Sequence, residues 1–418
     1  MHQITKIKGF SDLLWPEVSQ YTLMEELARS VFSRYGYREI RIPVLEKTEL
    51  FARSIGEETD IVQKEMFTFP DRKGRLLTMR PEATAGVARA YIENTMYARE
   101  QVSKVFTFGP MFRYERPQKG RQRQFHQVNA ELFGTSAPQA DAEIIAMLWR
   151  YLHELGLTNL DLYLNSLGCP ECRPEFSRRL QEFLNTQPIS ELCADCQHRQ
   201  NTNPLRILDC KVPGCQKTAE QAPKILDHLC RECEKHFASV QNILQSCSVP
   251  FVLNPRLVRG LDYYQRTAFE VVSRDIGAQS SVAGGGRYDG LLEQLGGPSC
   301  PGIGFACGME RLALLLEPPV DPGLDFYLAV LDPSALEQGQ ILALGLRDRG
   351  FRGQVSFEAK GPKSQIRLAN KLKARFCLFL GPEENNGQTI VLKDMHSGQQ
   401  RTIPQAELPA ALVQAWQS

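Results

Sequence analysis

Residues 104–134, KVFTFGPMFRYERPQKGRQRQFHQVNAELFG, carry the pattern that most restricts the architecture. From Phe125 to Phe133 the side chains alternate strictly. Gln127, Asn129 and Glu131 take one face; His126, Val128, Ala130 and Leu132 take the other, as in a strand with one face on a core. Residues 105–114 are rich in Phe, Val and Tyr, so the stretch reads as strand, charged loop, strand. The loop, 115–124, packs Arg116, Lys119, Arg121 and Arg123 around a Pro and a Gly. A half-exposed surface hairpin would alternate in the same way. Two features favour a binding surface: the polar face holds amides and a carboxylate, which make directed hydrogen bonds, and the loop has too many like charges for a minimal turn. The hairpin therefore reads as a floor for a polar ligand with a flap for an anionic one.

A chain of 418 residues buries a substantial core in two or three domains. Its net charge of +1 confines any nucleic-acid contact to local basic patches. The start, MHQITKIKGFSD, lacks the apolar core of a signal peptide, and no run of about eighteen apolar residues occurs. These absences predict a cytoplasmic chain with reduced cysteines and no membrane partner.

In chain order, 17–35 has helical apolar spacing and ends at Gly36, a C-cap candidate. Residues 37–45, YREIRIPVL, alternate as a strand; Pro43 removes a ladder donor, so the strand belongs at an edge or a subunit contact. A hairpin over 66–78 turns at 71–74 and leads into RPEAT at 80–84, where a strand gives way to a helix. Glu82 there is accounted for by a favourable charge at a helix N-terminus. Residues 140–155 form an apolar-faced helix and 161–167 a strand. Beyond a cysteine-rich segment, 251–272 gives two strand-like pieces around RGLDYY, then AGGGRYDG at 283–290 and a glycine-rich strand entering a helix at 301–316. Neither glycine stretch fits a dinucleotide or P-loop pattern. Gly302, Gly304 and Gly308 would let a purine approach the backbone, with Arg311 near its ring or phosphates; a tight strand–helix joint is the other reading.

Residues 317–325, EPPVDPGLD, form the clearest linker. From residue 326 onward strand and helix alternate, as in a small α/β domain with a largely parallel sheet. A helix over 364–375 carries Arg367, Lys371, Lys373 and Arg375, either a solvated face or an RNA-phosphate patch.

Eight of the twelve cysteines fall in pairs between 169 and 233: Cys169 and Cys172, Cys193 and Cys196, Cys210 and Cys215, Cys230 and Cys233. Two such pairs complete one closed four-thiolate zinc site. One or two structural zinc ions per chain are expected between residues 168 and 237, without catalytic metal. The spacing does not say which pair meets which.

Together these stretches resemble a known family. Residues 37–51, 112–133 and 302–316 are similar to motifs 1, 2 and 3 of class II aminoacyl-tRNA synthetases, motif 1 being the dimer-forming strand. LVRGLDYYQRT at 257–267 and AGGGRYDG at 283–290 resemble the two histidine signatures of the histidyl-tRNA synthetase family, and KGFSD and RPEAT fit it too. The resemblance spans essentially the whole chain. It implies an α+β catalytic domain with an antiparallel sheet and flanking helices in two parts, 1–167 and 249–317. A helical, cysteine-rich insertion occupies 168–248, a linker 318–325, and an α/β anticodon-binding domain 326–418. The activity implied is histidine–tRNA ligation with ATP and magnesium, by a homodimer acting on tRNA(His). The resemblance further implies that Arg113 and Arg259 approach the α-phosphate catalytically and that Arg311 and Gly308 hold the nucleotide. Glu131, Tyr263, Tyr264 and Tyr288 would surround the imidazole, and Glu82, Thr84 and Gln127 the amino-acid backbone. Arg116, Gln118 and Arg123 would meet the tRNA acceptor end. A silent paralogue, the regulatory subunit of ATP phosphoribosyltransferase, would lack the C-terminal domain and lose motif residues. A zinc-ribbon nucleic-acid-binding protein would leave the hairpin unused.

Overall fold

The computed structural model describes residues 3–57, 59–277 and 280–417. It divides into two units, Met1–Pro319 and Val320–Ser418, each taken by itself.

In the first unit, helix α1 (Glu17–Arg34) buries Tyr21, Met24, Ala28, Val31 and Phe32 on one stripe. Gly36, at φ +81°, stops it: its N–H donates to Ser33 O at 3.0 Å and the Tyr37 N–H to Phe32 O at 3.1 Å. Strands β1 (Arg38–Glu39) and β2 (Leu45–Lys47) follow, then α2 (Thr48–Ile55), the hairpin β3 (Phe67–Pro70) and β4 (Leu76–Met79), and α3 (Thr84–Glu93). The central hairpin is β5 (Ser103–Phe112) and β6 (Gln124–Phe133), succeeded by α4 (Pro138–Glu154) and β7 (Leu160–Ser166). Helices α5 (Arg173–Thr186), α6 (Ala194–Thr202), α7 (Pro213–Gln221) and α8 (Arg231–Ser246) make the insertion. The unit closes with β8 (Val252–Leu253), β9 (Gln265–Ser273), β10 (Ser281–Arg287), α9 (Leu291–Gln294), β11 (Gly302–Gly308) and α10 (Met309–Ala313).

Eight strands form one sheet, in the order β1-β5-β6-β11-β10-β9-β7-β8. Its six central strands are antiparallel; β1 and β8 are short parallel edges. One face packs Val128, Ala130 and Leu132 against α1, α4 and α8 through Phe32, Ile144, Tyr151 and Phe237. The opposite face, with Glu131, meets α3 and the insertion.

The expected strand over 37–45 is broken in two. β1 pairs with β5 at the edge of the large sheet, whereas β2 joins a separate small sheet, β2-β4-β3. Pro43 lies between them. There Arg80 takes over: its Nη1 donates to Ile42 O at 3.1 Å and its backbone N–H to Val44 O at 2.9 Å. The chain is thus turned from one sheet to the other by a buried guanidinium.

The second unit holds β12 (Leu324–Val330), α11 (Leu336–Arg347), β13 (Gly353–Val355), α12 (Pro362–Lys371), β14 (Ala374–Leu380), α13 (Pro382–Asn386), β15 (Thr389–Asp394), β16 (Gln400–Pro404) and α14 (Leu408–Gln417). Its sheet, β13-β12-β14-β15-β16, is mixed: β12 runs parallel to β13 and β14, but β15 and β16 add antiparallel. The four cations expected on one helix are split. α12 ends at Lys371, Lys373 sits in a left-handed turn at φ +52°, and Arg375 enters β14.

In the first unit, Arg287 of the AGGGRYDG stretch is wholly buried. Its Nε and Nη2 donate to Asp141 of α4 at 3.0 and 2.7 Å, and Nη1 to Thr135 O and Asp289 at 3.0 and 2.9 Å. His236 of α8 stands 3.2 Å from the same Asp141 carboxylate. A buried charge stripped of its partner costs about 3–5 kcal/mol. Arg287→Met should lower the unfolding free energy by about that much in urea titrations, and adding Asp141→Leu should restore most of it.

Candidate active site

Above the polar face of β6 is a cavity of ≈ 220 Å³. Glu82, Thr84, Arg113, Gln127, Arg259, Tyr263, Tyr264, Gly308 and Arg311 all line it, brought in from separate elements and loops. The side-chain oxygens of Gln127 and Asn129 have no hydrogen-bond partner among the described residues. Buried polar atoms are rarely left so, and both of these residues line the cavity. Asn129, which alternation places on the polar face without assigning it a role, is thereby part of the site.

Three arginines reach the cavity from different directions. Arg113, at the end of β5, donates from Nε to Pro81 O at 2.9 Å and stands over the Phe125 ring. Arg259 lies along β10 because Gly284 has no side chain; a Cβ there would overlap its guanidinium. Arg259 is 3.4 Å from Glu270 and faces the Tyr264 ring at 5.6 Å. Arg311, in α10, donates to Ser281 O at 2.5 Å. Arginine suits phosphate oxygens because its planar fork stays charged and binds them in pairs.

At the other end, Glu82 accepts the Thr84 and Ala85 N–H groups at 2.6 and 2.9 Å. It is both the N-terminal charge of α3 and a wall of the cavity, so the two readings of this residue coexist. Glu131 and Tyr288 do not line the cavity; they lie beneath it. Glu131 accepts hydrogen bonds from Thr84 Oγ1 at 2.7 Å and from the Tyr288 hydroxyl. Burial pushes its carboxyl up to about 8, against the lowering effect of those two bonds.

Two glycines expected beneath a purine serve these side chains instead. A Cβ at Gly304 would overlap the Glu131 carboxylate, and one at Gly302 the Tyr288 ring. Gly308 alone of the three lines the cavity.

The flap is more tied down than its charge suggests. Glu115 pairs with Arg121, and Arg123 folds back, its guanidinium 3.9 Å over the Tyr114 ring and its Nε donating to Glu115 O at 3.1 Å. Gln118 bridges to Arg121 at the turn, and with Arg116 it lines a second, outward-facing hollow.

The cysteines assemble in nested order. Cys169, Cys172, Cys230 and Cys233 form one cluster, Cys193, Cys196, Cys210 and Cys215 another, each with its sulfurs within 4.8 Å of one another. Cys169 Sγ lies 3.6 Å from Cys172 Sγ and 3.9 Å from Cys230 Sγ; Cys193 and Cys210 are 3.9 Å apart. A disulfide needs about 2.05 Å. A tetrahedral zinc with Zn–S bonds of about 2.3 Å sets its sulfurs about 3.8 Å apart. The Cys230 N–H donates to Cys172 Sγ at 3.1 Å and the Cys193 N–H to Cys215 Sγ at 3.2 Å, the support that thiolate ligands receive around a metal.

The family described as histidyl-tRNA synthetase matches residues 9–312, and an anticodon binding domain matches 325–415. The histidine–tRNA ligase of Nitratidesulfovibrio vulgaris (strain DP4) is 60% identical over 415 residues, covering 99% of this chain and 100% of its own. That of Maridesulfovibrio salexigens is 58% identical over 409 residues, covering 97% and 99%. The crystal structure of apo Staphylococcus aureus histidyl-tRNA synthetase superposes with a TM-score of 0.82 at 34% identity, covering 98% of this chain and 100% of that one. The chain belongs to the histidyl-tRNA synthetase family.

Two carboxylates, Glu310 lining the cavity and Glu270 behind Arg259, escaped the sequence. Glu310 of α10 accepts the His126 backbone N–H at 2.9 Å and meets its Nδ1 at 3.0 Å, joining the third motif to the second. Glu270 holds Arg259 and accepts the Ser281 hydroxyl at 2.7 Å. The signal for Glu270 was a lone carboxylate in the strand run AFEVV.

The raised Glu131 carboxyl has a measurable sign. Between its ordinary 4.5 and about 8 the folded protein keeps a proton that the unfolded chain has lost. Stability then falls as pH rises through that window, by about 1.4 kcal/mol per pH unit from this group. Glu131→Gln should gain stability relative to the parent between about pH 5.5 and about pH 8 in urea titrations. Parallel curves would mean that Glu131 is ionised throughout.

Proposed function

We propose that this cavity is where the chain makes histidyl-adenylate. The chain acts as a histidine–tRNA ligase in protein biosynthesis: it activates histidine with ATP, then passes the histidyl group to tRNA. The observation that carries the site assignment is the convergence of Arg113, Arg259 and Arg311 on one cavity that Glu82, Tyr263 and Tyr264 also line. A carboxylate oxygen of histidine attacks the α-phosphorus, and the bond to pyrophosphate breaks with its electron pair leaving on pyrophosphate. Negative charge builds at phosphorus, where Arg113 and Arg259 stabilise it. Arg311 holds the nucleotide against Gly308. Magnesium entering with ATP would supply charge neutralisation on the polyphosphate.

Glu82, Thr84 and Gln127 take the α-amino and carboxyl end. Glu131, with Tyr263, Tyr264 and Tyr288, takes the imidazole. An analogue without ring nitrogens would leave the polar groups that face the ring short of a hydrogen-bond partner, which disfavours it by roughly 10⁴-fold. In the second step the 3′-terminal hydroxyl of tRNA(His) attacks the acyl carbon and AMP leaves, with Arg116, Gln118 and Arg123 near the acceptor end. The chain is cytoplasmic and works as a homodimer through the edge near β1. No helix among the described residues is long and apolar enough to cross a membrane. Each cysteine cluster holds one structural zinc ion, closed by four thiolates and so without an open position for catalysis.

Arg259→Ala should leave folding intact and slow histidine-dependent ATP–pyrophosphate exchange by roughly 10²-fold or more. Exchange within a few-fold of the parent would remove Arg259 from the mechanism. Gln118→Ala should depress tRNA charging far more than exchange; equal losses would mean that the flap serves ATP alone.

A further inference from the structure

The insertion does more than hang from the catalytic sheet. The chain between Cys196 and Cys210 leans on the first histidine signature, the loop that delivers Arg259, Tyr263 and Tyr264. Asn203 Nδ2 donates to Asp262 Oδ1 at 3.0 Å. Arg206 lies flat on Gly260, where a Cβ would stand 3.7 Å from its Nη1. Asp262 is held from the far side as well: its N–H donates to Ile55 O at 3.1 Å, and a Cβ at Gly56 would overlap its carboxylate. Arg199, on the helix that starts after Cys193, donates to Asp60 at 2.6 Å. None of Asn203, Arg206 and Arg199 lines the cavity.

These contacts come from a stretch with little regular structure of its own. It consists of α6, one tight turn over Pro204–Ile207 and a loop, and both its ends are cysteine pairs of the same cluster. A metal bound there closes the stretch into a ring and fixes where Asn203 and Arg206 stand. The first cluster has a parallel link. Arg173, next to Cys172, donates to the Tyr264 carbonyl, and the Arg266 N–H donates to Gly168 O at 2.8 Å.

We propose that metal at Cys193, Cys196, Cys210 and Cys215 sets the working position of the 257–264 loop, with Asn203 and Arg206 as its positioning residues. This rests on the zinc reading of the two clusters. Arg259 acts on charge that builds in the transition state, and Tyr263 and Tyr264 of the same loop face the imidazole, so a loosened loop lowers kcat and raises the histidine KM.

Four measurements on the full chain test this: zinc per chain by elemental analysis, amide hydrogen exchange over 257–264, near-ultraviolet circular dichroism, and exchange kinetics. The parent should carry two zinc ions. The double variant Cys210→Ser, Cys215→Ser should lose one. Asn203→Ala with Arg206→Ala should keep both. Both double variants should show amide exchange in 257–264 faster by roughly tenfold or more, with kcat down by a similar factor. Metal loss with parent-like loop protection would overturn the proposal, and so would parent-like protection in the Asn203, Arg206 variant. If the cysteine variant fails to fold, the Asn203, Arg206 variant still supports or overturns the tether by its loop protection. A parent without zinc would overturn both the metal reading and its extension here, while that same variant would still report separately on the tether.

Discussion

The carboxyl of Glu131 sits in the sheet with almost no exposure, and its neighbourhood is arranged to hold it there. A buried carboxyl is expensive unless hydrogen-bonded. Two hydroxyls meet that need, one from Thr84 at the first residue of α3 and one from Tyr288 just beyond β10. The register of β6 on β11 places Glu131 across from Gly304, where any side chain would collide with it. A slip of one residue would turn Glu131, Asn129 and Gln127 into the helical core and bring Val128, Ala130 and Leu132 to the cavity. The helix start, the tyrosine, the glycine and the strand register thus answer one requirement.

The Arg287–Asp141 pair extends this logic downward. Arg287 directly precedes Tyr288, so the ion pair that locks α4 to the end of β10 also fixes the backbone from which Tyr288 reaches Glu131. His236 brings α8, the last helix of the insertion, to the same carboxylate. The contact between Tyr288 and Glu131 therefore rests on charges that do not line the cavity.

Local pattern revealed what has a local cause. The alternation of β6 was visible because one face packs on helices, and the cysteine pairs were visible because ligand spacing is short-range. The nested order of those pairs was not, since it depends on α5 to α8 folding back on themselves. The break at Pro43 was equally hidden: YREIRIPVL alternates well, but the groups that redirect it belong to Arg80, far along the chain. Gly302 and Gly304 were legible as places of close approach; that the approaching groups are Tyr288 and Glu131 is a tertiary fact. Glu82 reads as a helix-end charge because it is one, and only the surrounding cavity adds its second role. The family resemblance supplied the site residues that spacing could not.

The insertion shows why thiolates, and not a larger core, suit its position. Two of its helices are largely polar: α5 buries only Phe176, Leu180 and Leu184 in 14 residues, and α6 only Cys196 and Gln200. Its buried apolar side chains, such as Ile207, Leu208 and Phe237, join clusters shared with the rest of the unit, and cross-linking adds support where a segment is largely polar. In a reducing compartment disulfides do not persist, whereas metal–thiolate bonds do. The nesting then divides the work. The first cluster stands at the base of the excursion, beside the Tyr264 carbonyl, and the second stands in its far part, on the side of Asp262. The segment between, which carries Arg259, Tyr263 and Tyr264, is approached from both ends by chain whose geometry a metal would dictate. Phe176, Leu180, Ile207 and Leu208 of the insertion join Val258, Tyr263 and Tyr264 in one buried cluster, and metal at the cysteines would hold the polar chain around that core.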